Sequence, residues 1–309
     1  MAQIDRTHRK GIWLAAATAL ISGFAVFLNG YGVRAWSDVA DPTTYTTVKN
    51  LVAALVIGGV ATILVFRNSP ARPRLPEGRR AGFTLTAIAL IGGSVPFVLF
   101  FEGLARASSA QAAVIHKTLI IWVAALAIIF LRERIGWPQV AAIGLLLWGQ
   151  IALVGNAGAL EFGTGEAMVL GATLLWSVEV IVAKRVLTRT PASTVALARM
   201  GGGSVILVAW ALIRGGGLDW SALTGSHVIW AVVAGAFLSG YVLTWLAALS
   251  LAPAVDVTAV LVGGALITAL LQTAVDGAPL PDATGLALLG IGVAVAVVAG
   301  RRRREPVPS

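Results

Sequence analysis

Eight ionisable residues interrupt otherwise apolar stretches of the chain: Lys49, Glu102, His116, Lys117, Glu179, Lys184, Arg199 and Asp256. At the centre of a bilayer each costs about 2.5–3.5 kcal/mol on insertion scales, so such groups usually face a bundle interior or a water-filled cavity. Glu179 is the sharpest of them. It lies about fifteen residues into its apolar run, and no Lys or Arg falls within four residues of it. A carboxyl at that depth can bind a cation or exchange a proton, or it can serve as a structural partner of Lys117 or Arg199.

His116 and Lys117 are adjacent, about 100° apart on a helix, so they cannot point the same way. Lys117 has two readings: a cation that meets a solute, or one half of an ion pair with Glu102 bracing neighbouring helices. Lys49, beside Asn50, either snorkels to the interface or forms a second positive wall of the same cavity. Tyr45, one turn earlier on the same face, can orient an ammonium or line a pocket. Trp122, Trp148, Trp176 and Trp245 fall within apolar runs, where tryptophans form an aromatic cage or pack the bundle. Trp13, Trp36, Trp137, Trp220 and Trp230 read as interface anchors.

These residues need elements to position them. Ten apolar runs are expected to be helices: 11–34, 44–66, 82–105, 109–131, 138–155, 165–187, 192–213, 227–251, 254–275 and 283–300. About 20 residues suffice to cross the hydrocarbon. Turn residues separate the runs at Asp41-Pro42, Ser69-Pro70, Gly136-Trp137-Pro138, Thr190-Pro191, Ala252-Pro253 and Pro279-Leu280-Pro281. Pro96 invites a kink in the third run. The glycine pairs Gly58-Gly59, Gly92-Gly93 and Gly263-Gly264 and the triplet Gly201-Gly202-Gly203 permit close helix approach.

Composition agrees. Of 309 residues, 58% are hydrophobic and only 12% charged, with mean hydropathy +0.87. So much apolar surface cannot be hidden in a soluble fold of this size. No Cys is present, which removes disulfides, thiolate metal sites and a cysteine nucleophile. The net charge of +9 belongs to membrane orientation rather than to nucleic acid. With a cytoplasmic N-terminus, sixteen Lys and Arg fall in inner segments and three, Arg34, Arg106 and Arg214, in outer ones. That bias places both termini inside, and ten spans are the even number that termini on one side require.

The two halves resemble each other. Ala17-Thr18-x-Leu20-x-Ser22 matches Ala172-Thr173-x-Leu175-x-Ser177, Pro42 and Asn50 match Pro191 and Arg199, and Glu133-x4-Pro138 matches Asp276-x4-Pro281. Five spans per half make the repeats inverted, an arrangement typical of secondary transporters. The fold class is therefore an all-α integral membrane protein of ten transmembrane helices in two five-helix inverted repeats. Its organisation is a cytoplasmic segment 1–10, a first repeat 11–155, an outer linker 156–164, a second repeat 165–300 and a basic tail 301–309.

This pattern resembles the EamA-type branch of the drug/metabolite transporter superfamily. The residues that carry the resemblance are the hairpin Ala105 to Ala113 (ARASSAQAA), the exit Leu131-Arg132-Glu133-Arg134-Ile135, Leu174-Leu175-Trp176, and Arg199 eight residues after Pro191. The chain departs from that pattern with Lys49-Asn50 where an arginine is typical, with Gly277-Ala278, and with His116-Lys117. Trp176-Ser177-Val178-Glu179-Val180-Ile181 is similar to the small multidrug-resistance branch, where a membrane-embedded Glu binds a cation or proton. The resemblance implies a secondary transporter, an exporter or exchanger, moving a small polar metabolite such as an amino acid or organic ion across the cytoplasmic membrane.

The expected partners are that small molecule, the lipid bilayer and a coupling proton, with no nucleic acid, no metal and no cofactor. Candidate substrate-binding or coupling residues are Glu179, Lys117, His116, Lys49, Asn50, Glu102, Tyr45, Trp176, Trp122 and Trp245. The alternative is an integral-membrane enzyme acting on a lipid-linked substrate. The sequence carries no GxxxxGK[ST], no HExxH and no carboxylate pair placed for hydrolysis.

Overall fold

The computed structural model describes residues 2–74, 78–107, 109–154, 162–215, 221–279 and 282–302. Ten helices appear among them: α1 (Ala2–Trp36), α2 (Pro42–Phe66), α3 (Arg79–Leu104), α4 (Gln111–Leu131), α5 (Trp137–Val154), α6 (Thr164–Val186), α7 (Ala192–Arg214), α8 (Gly225–Leu251), α9 (Ala254–Asp276) and α10 (Ala283–Arg302). Eight are long and apolar enough to cross a membrane, and α5 and α10 carry shorter apolar stretches. Most of the expected outer linker 156–164, Trp220 and the end of the basic tail lie outside the described residues.

Local signals set the ends. Asp41 accepts the Thr44 backbone N–H at 2.7 Å, with Pro42 at the first helical position of α2. Glu166 reaches back to the Gly163 N–H at 3.0 Å to open α6. Gly215 and Gly277 stop α7 and α9 in left-handed conformation, both at φ 66°.

Four helices are interrupted, α9 at Gly263 among them. In α3 the helix stops at Ile91 and resumes at Val95. Pro96 explains this: it lacks an N–H, and its ring clashes with the carbonyl four residues back, that of Gly92. A π-helical turn occupies Ala198–Gly202 in α7 and another Ala127–Leu131 in α4; such turns recur at functional sites.

The most extensive helix pairings are α1 with α8 and α5 with α10, followed by the second part of α3 with α6. The main core lies among Ile57, Ile88, Val123, Val180, Met200, Val242, Leu246 and Val257, drawn from both halves of the chain. Trp13 and Trp137 sit exposed on the bundle surface. Trp36, expected at an interface, is instead buried, because its indole N–H donates to the His227 carbonyl at 2.9 Å. Trp230 stacks on Tyr31 with ring centroids 5.5 Å apart.

Candidate functional site

The interruption of α3 is the seat of the site. Gly92 and Gly93 leave room for neighbouring helices: a Cβ at Gly92 would overlap the Glu179 carboxyl, and one at Gly93 would overlap the Arg199 carbonyl. Trp176 donates its indole N–H to the Gly92 carbonyl at 3.2 Å, which satisfies an acceptor freed where the helix breaks. Thus α6 and α7 are held against α3 at one level.

At that level Glu179 is not isolated. Arg199 Nε donates to Glu179 Oε1 at 2.5 Å and Nη2 donates to Oε2 at 3.2 Å. The side chains are 1% and 4% exposed. The fork geometry pairs both carboxylate oxygens, which a buried charge requires. Glu179 has no cationic partner on its own helix α6, and its partner comes from α7.

Lys49 is also interior rather than snorkelling, at 5% exposed. Its Nζ donates to Asn29 Oδ1 at 3.2 Å and lies 4.3 Å from the Phe101 ring centroid, 5.5 Å from Tyr45 and 5.9 Å from Phe97. Tyr45 Oη donates to the same Asn29 oxygen at 3.2 Å. Asn50, the next residue, is fully buried with neither amide atom hydrogen-bonded.

Phe97 joins the two groups. Arg199 Cζ lies 5.7 Å from its ring centroid and 5.5 Å from that of Trp245, which stacks on Tyr241. Trp176 packs against Phe97 at 5.4 Å, against Phe100 at 5.5 Å and against His116 at 5.3 Å. His116 Nδ1 is buried without a hydrogen bond. The arrangement offers one matched ion pair, one cation with no acid beside it, and an aromatic lining drawn from both halves.

The sequence matches the EamA-like transporter family over residues 9–155 and 163–300. The chain belongs to that family. Membership places it among transporters rather than enzymes, in the drug/metabolite transporter superfamily. No curated protein matches the chain. A solved crystal structure is 18% identical with a TM-score of 0.70, and the match covers 99% of this chain and 100% of that one. At that identity the likeness concerns the fold alone.

This EamA-like transporter brings Glu179, Lys49, Tyr45, His116, Trp176 and Trp245 into the cluster linked through Phe97 and leaves others apart. The Lys117–Glu102 ion pair is not formed. Glu102 instead accepts from Thr43 Oγ1 at 2.6 Å and Arg214 Nη1 at 2.7 Å on one oxygen, and from Arg106 Nη1 at 2.7 Å on the other. Lys117 makes no hydrogen bond or ion pair among the described residues. Trp122 is 38% exposed and donates to Thr118 Oγ1, and Trp148 is exposed as well; both lie on the bundle surface.

Asn29, Phe97 and Phe101 were not singled out in the sequence. The repeat carries a signal for the aromatic pair: Phe97 and Phe101 correspond to Tyr241 and Trp245, each 144 positions later. In the first half Lys49 of the second helix lies over both Phe97 and Phe101, and in the second half Arg199 lies over Trp245, on which Tyr241 stacks.

Proposed function

We propose that the chain is a secondary transporter, an exporter or exchanger, moving a small polar metabolite across the cytoplasmic membrane by alternating access. Two inverted five-helix repeats rock about a site centred on Phe97, between Lys49 of the first half and the Glu179–Arg199 pair of the second. The observation that carries this reading is the convergence of buried ionic side chains from both halves at one level of the bundle. Groups so costly inside an apolar bundle mark a functional site by default. The exchange-symmetric helix pairing, α1 with α8 and α3 with α6, supports the repeat relation.

Glu179 is the coupling group in this reading. Protonation of its carboxyl would release Arg199, and loss of the proton would recapture it, linking a gradient to two arrangements of the site. Purified protein in liposomes preloaded with pooled metabolites should show saturable, time-dependent exchange of a labelled counterpart. In Glu179→Gln, exchange down a substrate gradient should persist while proton-driven accumulation is lost. Accumulation equal to the wild type would remove Glu179 from coupling, and an absence of saturable flux would remove the transport reading.

A further inference from the structure

The buried acids Glu179, at the α3 interruption, and Glu102, toward the end of α3, are both committed. Glu179 is held by Arg199, and Glu102 by Arg106, Arg214 and Thr43. Lys49 has neither. Among the described residues its ammonium meets one neutral acceptor, the Asn29 oxygen, and three aromatic rings. A charge this deeply buried is ordinarily paired. One amide oxygen and ring faces, which themselves attract a cation only modestly, leave two of its three donors unused.

The same helix carries further unspent polar groups. Thr46 and Asn50, one turn apart and both fully buried, have a hydroxyl and a whole amide without partners. Buried groups left unsatisfied in this way call for an explanation such as a ligand. Lys49 supplies the cation, and Thr46 and Asn50, on the adjoining face of the same helix, add an unpaired hydroxyl and amide beside it, groups of the kind that hydrogen-bond a polar passenger. Tyr45, Phe97, Phe101 and Trp176 supply apolar surface for the rest of that passenger.

We propose that the transported metabolite is an organic anion, a carboxylate or phosphate ester with an apolar body, whose anionic group is held by Lys49. The proposal rests on the transport reading above and adds the substrate class and the residue that selects it. Lys49 then completes a charge balance across the site: Arg199 is neutralised within the protein, and Lys49 by the passenger.

The test uses four probes on one skeleton: 3-phenylpropionate, phenyl phosphate, 3-phenylpropionamide and phenethylammonium. Binding to the purified full-length protein is read from the thermal midpoint and from tryptophan fluorescence. The two anions should stabilise the wild type in a saturable manner, while the amide and the ammonium should not. Lys49→Met should raise the half-saturating anion concentration at least tenfold, and Lys49→Arg should retain part of the binding. The stronger of the two anions tells a phosphate passenger from a carboxylate.

Without ligand, Lys49→Met should melt at or above the wild type, since it removes an unpaired buried charge. If it does not fold, Lys49→Gln takes its place. Equal binding of the amide, anion binding indifferent to Lys49, or no binding of either anion would each overturn the proposal. Anion binding without flux in liposomes would instead defeat the transport reading alone. Saturable flux of uncharged or cationic solutes, unaffected by Lys49→Met, would defeat the anion proposal alone.

Discussion

Glu179 and Arg199 share a single interaction across two helices, and the energetics of that pair differ from those of a lone membrane acid. Removing one member of a buried ion pair leaves the other charge uncompensated, at about 3–5 kcal/mol, whereas replacing both by apolar residues is often neutral. Glu179→Gln should therefore lower the thermal midpoint markedly, and Glu179→Met with Arg199→Met should recover most of it. Arg199→Lys, with Glu179 kept, should also lower the midpoint, because a lysine cannot span both carboxylate oxygens. A Glu179→Gln variant as stable as the wild type would show that the pair contributes little. The depth of Glu179 was readable from its place in an apolar run, as was the burial cost that makes such a group notable. The sequence offers Arg199 and Lys117 alike as partners of Glu179 and does not choose between them, because Arg199 lies twenty residues on and one-dimensional spacing carries no record of which face of α7 meets α6. The same limit explains Glu102, whose acceptor capacity goes to Thr43 and Arg214 from helices distant in sequence.

Among the elements, the glycines of the apolar runs fall into two kinds that look alike in sequence. Gly93 has the Arg199 carbonyl where a side chain would sit, and Gly203 packs on the Gly93 backbone in return. Gly58 and Gly59 have nothing within 4 Å of the same position. Gly93→Ala should separate α3 from α7 at the site, near the top of the roughly 1–3 kcal/mol range for overpacking. Gly59→Ala should be neutral or stabilising by up to about 1 kcal/mol, from the better helix propensity of alanine. Folded yield and thermal midpoint of the two variants check this; equal losses would mean that the α3 crossing is not as tight as described. The ten runs and the Pro96 kink were legible because hydropathy and proline act locally. The π-helical turn that presents Arg199 was not, since it arises from the packing of α7 against its neighbours.

At the scale of the whole molecule, each end of the bundle is tied by side chains that cross between helices. At the end expected to face outward, Glu102 joins Thr43 of α2, Arg106 after α3 and Arg214 of α7. At the other end, Glu133 accepts the Ala254 N–H at 2.8 Å and the Val255 N–H at 3.3 Å, and Lys184 donates to the carbonyls of Leu249 and Ala252, each at 2.6 Å. The alternating access proposed above would require such ties to break at one end at a time. Glu102→Gln keeps the size of the group and removes its charge, so it should speed hydrogen–deuterium exchange over Pro42–Thr46 while leaving Ala254–Thr258 unchanged. Equal change at both ends would mean that the outer cluster is not an independent tie.

The last prediction concerns how the two halves enter the membrane. Each half contributes five helices, and the pairing of α1 with α8 is mirrored by that of α3 with α6, as exchange of the halves demands. The pairing of α5 with α10 maps onto itself under the same exchange. A pseudo-twofold axis in the membrane plane produces this pattern when odd-numbered repeats enter from opposite sides. The sixteen-to-three excess of Lys and Arg is an independent argument for the direction, because cationic loops resist translocation. Ser69, between α2 and α3, should then face the cytoplasm, and Ser221, between α7 and α8, the outside. The chain has no native cysteine, so Ser69→Cys and Ser221→Cys each provide one unambiguous label. In intact cells a membrane-impermeant maleimide should modify only Ser221→Cys, and permeabilisation should add Ser69→Cys. Modification of both before permeabilisation would defeat the inverted arrangement, and modification of Ser69→Cys alone would reverse the orientation and with it the assignment of the Glu102 cluster to the outer end.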